Sequence, residues 1–222
     1  MGNELRNILL NWPKRVVRDI DLIPMMSGSD SARHNALKRA VQQKVLLRIV
    51  RGVYLILEPY SKLPINRFEI AQILEGIAYI SFESALAYHQ LIPEAVYVTS
   101  CATSNRSREI HTEIGDFSFQ HLPLKNFFLG VERVTEGSSV YLMATPWRAL
   151  ADHFFIFKRP WEHPESIFED LRIEEEDLAA FSKESLKQLT AAYPSPRVRK
   201  FLKQLAVYMG AASCPVKSLN LV

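Results

Sequence analysis

Six polar side chains recur on one side of the segment 31–43: Ser31, His34, Asn35, Lys38, Arg39 and Gln42. At about 100° per residue they fall opposite an apolar face of Ala32, Ala36, Leu37, Ala40 and Val41, with Arg33 on the apolar side. Side-chain amides read base edges in a DNA groove, and cations hold phosphates. By residue type, Asn35 and Gln42 suit adenine, Lys38 suits guanine or a phosphate, and Arg39 suits a phosphate. Arg48 and Arg51 follow on either side of Ile49-Val50, where they can meet the DNA backbone or a minor groove. The plainer alternatives are a solvated helix face and charge that keeps an edge strand from aggregating.

A second set of residues has the types for acid–base chemistry: Glu83, His89, Asp152 and His153. Each also has a structural explanation. Glu83 opens a helix whose dipole favours negative charge. His89 lies on the apolar side of the same helix, and Asp152-His153 can pair with Arg148 or Lys158. His111 and His121 have no third ligand in view, and Cys101 and Cys214 make neither a zinc site nor a disulfide framework. There is no Gly-x-Ser-x-Gly, phosphate loop or dinucleotide fingerprint. The expectation is therefore a non-enzyme with no cofactor and no metal. Phe127-Phe128 and Phe154–Phe157 read as core or as an interface. Arg197, Arg199, Lys200 and Lys203 form a second basic strip, read as a solvated face.

These residues need elements to hold them. Leu5, Ile8 and Leu9 mark a short helix that Trp12-Pro13 ends. Val16-Val17 is extended, Asp19–Met26 a helical turn, and Ser27–Ser31 a turn rich in N-cap residues before the helix at Ser31–Gln43. Val45–Val50 and Val53–Leu57 flank Arg51-Gly52 as a hairpin. Helix, turn, helix and hairpin in that order predict a winged helix-turn-helix over residues 1–62, closed by a proline-bounded linker at Glu58–Pro64. Residues 63–158 predict an α+β domain with a small, mostly antiparallel sheet. Its elements are a helix at Arg67–Glu75 capped by Asn66, strands at Ala78–Ser81 and Ala95–Ser100, and a helix at Phe82–Gln90. A polar loop at Cys101–Ser107, two further hairpins and a helix capped by Thr145, with Pro146 at its first position, complete it. Residues 159–222 predict a helical extension.

The chain has 222 residues, 48% of them hydrophobic, and a net charge of +3. Residues 1–57 hold ten Lys and Arg against four Asp and Glu, whereas residues 58–157 hold seven against eleven. A basic end suits a polyanion partner. No apolar run reaches the roughly 18 residues of a membrane helix, and the first residues lack a signal-peptide core. Arg6 stands where a myristoylation motif needs Ser or Thr.

Four stretches resemble the AbiEi antitoxin family of AbiE-type abortive-infection systems. They are Leu10–Lys14; Leu37–Val41 with Leu47–Tyr54; Tyr79–Glu94, which contains Ser81-Phe82-Glu83-Ser84-Ala85-Leu86; and Ala144–Asp152, similar to the family's Thr-Pro-x-Arg/Lys-Ala-Leu-x-Asp. The resemblance implies a bacterial, cytoplasmic, type IV antitoxin. Its first domain would bind operator DNA and repress its own operon, and an inverted-repeat operator would imply a homodimer. The rest would counteract a nucleotidyltransferase toxin without a stable complex, with no membrane involved. Many family members have glycine where this chain has Gln43. The alternative is an antitoxin that binds its toxin directly and no longer binds DNA.

Overall fold

The computed structural model describes residues 2–158, 163–179 and 183–212; Cys214 lies outside them. The chain is mixed α+β with two sheets and a helical C-terminal region.

The first unit runs α1 (Asn3–Leu10), β1 (Val16–Arg18), α2 (Asp19–Leu22), a 3-10 turn (Ile23–Met25), α3 (Asp30–Gln42), β2 (Leu46–Val50) and β3 (Val53–Ile56). Its strands pair antiparallel in the order β1–β3–β2. Leu5, Leu9, Val17, Leu22, Leu37, Ala40, Leu46 and Ile56 close a core between this sheet and the helices. The other face of the sheet is also covered. Val16, Ile49, Val53 and Leu55 belong to the larger core that continues into the second unit. The register jumps between Arg48 and Val50, so Ile49 is a bulge residue, and Ile49 and Val50 both pack against that larger core.

Helix α3 begins at Asp30, one residue before the expected start, because Ser29 is the cap: its hydroxyl accepts from the Ala32 N–H at 3.3 Å. It ends in a Schellman turn, with Val45 N–H to Ala40 C=O at 2.9 Å and Lys44 N–H to Val41 C=O at 3.0 Å. The left-handed residue of that turn is Lys44, at φ 55, while Gln43 keeps an ordinary φ of −84. The glycine of the family pattern is therefore not required at position 43. Arg33 is partly buried and leans back to Asp30 at 3.4 Å.

The linker is packed onto the molecule. The Tyr60 and Ser61 N–H groups return to the Leu57 carbonyl, Tyr60 packs on the first core, and Arg15 donates to the Ser61 carbonyl. Lys14 Nζ lies 2.6 Å from Glu69 Oε1, and the Ser139 hydroxyl donates to the other Glu69 oxygen at 3.0 Å.

The second unit holds α4 (Arg67–Leu74), β4 (Tyr79–Ile80), α5 (Phe82–Tyr88), β5 (Val98–Thr103), β6 (Arg108–Thr112), β7 (Gly115–His121), β8 (Val131–Glu136), β9 (Ser139–Ala144) and α6 (Pro146–Phe157). Asn66 caps α4 through the Phe68 and Glu69 N–H groups. The sheet has six strands in the order β6–β7–β5–β4–β9–β8, and its pairings β5/β7 and β4/β9 are parallel. It is larger and more mixed than the small, mostly antiparallel sheet expected. The expected polar loop at Cys101–Ser107 is corrected in part: Cys101–Thr103 is the end of β5, a central strand. The hydroxyls of Thr103, Ser104 and Ser107 made the run look like loop, yet Thr103 is buried and its hydroxyl accepts from the Asn105 N–H at 3.1 Å.

The extension holds α7 (Glu165–Leu171), α8 (Glu175–Ala179), α9 (Lys183–Ala192) and α10 (Pro196–Ala212). Phe154 stacks on Phe201 with ring centroids 4.0 Å apart, so the phenylalanine run joins the extension to the second unit. Among the described residues, no helix is long and apolar enough to cross a membrane.

Candidate nucleic-acid interface

All eight residues singled out for DNA are exposed: Ser31, His34, Asn35, Lys38, Arg39, Gln42, Arg48 and Arg51. Four of them meet. His34, Lys38 and Gln42, one helical turn apart along α3, face Arg48 across a groove of about 330 Å³ that Tyr54 also lines. Ser31 lies beside this stripe, and Asn35 and Arg39 lie progressively further round the helix, away from the hairpin. Arg51 is apart from the groove, at the hairpin turn. That turn sits against the start of α2: the Gly52 carbonyl accepts from the Asp19 N–H at 2.9 Å. Gly52 has φ 81, and a Cβ there would come within 3.0 Å of the Asp19 carboxylate, so close approach and backbone conformation both demand glycine.

Tyr54 was not among the expected site residues. It stands directly opposite Arg48 on the neighbouring strand; a regular two-residue turn at Arg51-Gly52 would set Tyr54 against Ile49, and the bulge at Ile49 is what hid the pairing from the sequence. Burial raises the pKa of its hydroxyl, Asp19 raises it further, and the Arg48 cation opposes them. The His34 Nδ1 lies 2.8 Å from the Asp30 carbonyl. A carbonyl only accepts, so Nδ1 carries the proton of the neutral ring and Nε2 is left as an acceptor. Among the described residues, Lys38, Arg39, Arg48 and Arg51 have no carboxylate within ion-pair distance, whereas Arg18 pairs with Asp21 at 2.7 Å. Four uncompensated cations beside amide and imidazole donors and acceptors can hold phosphates and read bases. Comparison of the chain with protein-family models and with curated proteins finds no match.

The four acid–base candidates fall into separate contacts. Asp152 is fully buried and accepts from the Tyr79 hydroxyl at 2.8 Å, the Ser81 hydroxyl at 2.7 Å, Arg148 Nε at 2.9 Å and the Tyr193 hydroxyl. Arg148, equally buried, also donates to the Leu129 carbonyl at 2.6 Å and to the Tyr79 hydroxyl. Burial opposes the Arg148 charge, but Asp152 and the two phenols outweigh it and raise its pKa. Burial, reinforced by Asp152, holds the Tyr79 and Tyr193 hydroxyls protonated well above the usual phenol range. Tyr79 and Tyr193, distant in sequence, gave no local signal of this role. His89 instead meets the Ala144 carbonyl at 2.8 Å, and His153 meets Glu83 at 2.9 Å. His111 lies 3.0 Å from Asp116, and His121 bonds the Asn105 carbonyl. Among the described residues, no cluster of three or more His, Cys, Asp or Glu could hold a metal.

The second basic strip is thinner than its sequence. Arg197 stacks on the Phe154 ring at 4.1 Å and donates to the Phe154 carbonyl. Arg199 donates to the Tyr193 and Pro194 carbonyls, covering the end of α9. Lys200 and Lys203 remain exposed on α10.

Proposed function

We propose that residues 1–62 are a winged helix-turn-helix that binds duplex DNA, with α3 as the recognition helix and the β2–β3 hairpin as a short wing. The observation that carries this reading is the groove joining His34, Lys38 and Gln42 of α3 to Arg48 and Tyr54 of the hairpin. The element order α1–β1–α2–α3–β2–β3 and strand order β1–β3–β2 suit it. In this reading α3 lies in the major groove. Gln42 and Asn35 address bases, and Lys38, Arg39, Arg48 and Arg51 supply affinity by displacing counterions from phosphates. Taken with the resemblance to AbiEi antitoxins, the chain is a cytoplasmic transcriptional regulator and antitoxin. It represses its own operon and counteracts a nucleotidyltransferase toxin, without itself being an enzyme.

The direct-binding alternative has one observation in its favour. Ile20 and Met25, at 68% and 55% exposure, put apolar surface on the same unit, which suits a protein partner. Fluorescence anisotropy with labelled DNA from upstream of the gene, against random duplex, separates the two. Tight, salt-sensitive binding with preference for the upstream DNA is expected. No binding to either duplex, together with co-purification of the neighbouring gene's product, overturns the DNA reading in favour of the direct one.

A further inference from the structure

A cavity of about 650 Å³ opens between the linker and the second unit, walled by Ile65, Phe68, Tyr88, Val96 and Val98. Its size is that of small-molecule sites, which are apolar clefts with few, placed polar groups. The aromatic walls are fixed: Phe68 and Tyr88 meet edge-on with centroids 6.0 Å apart, and each also packs on Tyr141.

The polar groups are unevenly satisfied. Glu136 lines the cavity, and its carboxylate accepts from the neutral Asn66 amide at 3.1 Å. Among the described residues, no Lys, Arg or His lies within ion-pair distance of it. The cation of the lining, Arg67, is engaged elsewhere: its Nη2 donates to the Tyr97 and Asp116 carbonyls at 2.5 and 3.3 Å, and its guanidinium lies over Phe117. Behind the wall, the buried Tyr141 hydroxyl faces Glu136 and Tyr88, and burial together with these two neighbours raises its pKa far above the usual phenol range. Glu136 pairs with Ser139 and Val134 with Tyr141 across β8 and β9, so Glu136 and Tyr141 share one face of the sheet, the face that meets Phe68 and Tyr88. The partners of Glu136, the Asn66 amide and the Tyr141 hydroxyl, are both neutral, so the carboxylate has room for a charged donor from the cavity.

We propose that this cavity binds a small aromatic amine, its ring among Ile65, Phe68, Tyr88, Val96 and Val98 and its ammonium on Glu136. An aromatic acid would meet the same walls but be repelled at Glu136. The cavity touches residues of the linker and Ser139, which itself bonds the carboxylate held by Lys14 of the first unit. An occupant would therefore brace the junction of the two units. The proposal does not depend on whether the first unit binds DNA.

Three probes with one ring system and different charges test it on the full chain: tryptamine, indole-3-ethanol and indole-3-acetate, by titration calorimetry and amide chemical-shift mapping. Tryptamine is expected to bind about tenfold or more tighter than indole-3-acetate, with shifts centred on residues 64–68, 87–88 and 136–139. Glu136→Gln removes the preference for the amine yet keeps indole-3-ethanol binding, which also shows that the variant is folded. The proposal is overturned if none of the three binds saturably, if the acid binds as tightly as the amine, or if the shifts lie elsewhere. It also falls if Glu136→Gln retains the preference.

Discussion

Arginine stands in two opposite conditions in this chain. On α3 and the hairpin, Arg39, Arg48 and Arg51 are exposed and lack a carboxylate partner among the described residues. In the second unit, Arg148 has no solvent exposure and is matched by Asp152, a backbone carbonyl and a tyrosine hydroxyl. A charge in water keeps its hydration and can exchange it for a phosphate with little penalty. A charge in the core must be matched where it stands, since an uncompensated buried ion costs several kcal/mol. The first arrangement suits a partner and the second fixes a fold. Residue type is the same; burial decides which.

The sharpest way to break the comparison is Asp152→Ala. It strands Arg148 and leaves three hydroxyls without their acceptor, and is expected to destabilise the chain by about 3–5 kcal/mol in urea unfolding. A loss under about 1 kcal/mol would mean that the network does not hold the core together.

Alkaline pH probes the same cluster more gently. Tyr79 and Tyr193 have pKa values raised in the folded chain, so their contribution is complete below the unfolded phenol pKa of about 10 and is lost as pH climbs above it. Each adds about 1.4 kcal/mol of lost stability per pH unit in that range. Denaturation midpoints measured from pH 8 to 11 should be flat at first and then fall. Tyr193→Phe should make the fall shallower.

Lys14→Ala is an intermediate case, because Glu69 is 3% exposed but the Lys14 side chain is 41% exposed. Water screens the pair, and the expected loss is about 1–2 kcal/mol. An unchanged urea midpoint would remove the contact as a tie between the units.

The smallest effects on stability belong to the exposed face. Asn35→Ala, Arg39→Ala and Arg51→Ala should each change unfolding by no more than about 0.5 kcal/mol. Binding is where they should separate. Losing Arg39 or Arg51 should weaken upstream and random DNA alike and lower the slope of log affinity against log salt by about 1 per phosphate contact. Losing Asn35 should cost about 1–3 kcal/mol on the upstream DNA alone. If all three bind DNA as the parent does while Ala36→Asp unfolds the unit, α3 is structural only.

What could be read in the sequence was what short range decides. Residues 31–43 carry their helix in an apolar period, Asn66 and Thr145-Pro146 announce the starts of α4 and α6, and Arg51-Gly52 announces the hairpin; Thr145 holds the cap position, but its hydroxyl donates to the Gly130 carbonyl rather than capping the helix. The candidate interface was legible for the same reason, since one helix and the next hairpin supply it. Long-range partnership was not legible. Tyr79 and Tyr193 reach Asp152 from 73 and 41 positions away, and nothing near either tyrosine marks it as a partner. The parallel pairings of β5 with β7 and β4 with β9 join strands that no single turn connects. Lys44 in the left-handed position after α3 was missed because lysine there is no signal, whereas glycine would have been. The Glu136 cavity needs two helices and three strands to assemble, so no stretch of chain contains it.

The three-stranded sheet of the first unit is covered on both faces, by α1–α3 on one side and on the other by a core that runs unbroken into the second unit. Val16, Val53 and Leu55 are therefore interior to both units at once. Detaching the first unit would wet that shared layer and uncover the Glu69 carboxylate in the same event. Heat should accordingly melt the two units together, as one cooperative endotherm whose calorimetric and van't Hoff enthalpies agree. Slow hydrogen exchange should persist in β1 and β3 as long as it does in β4 and β5.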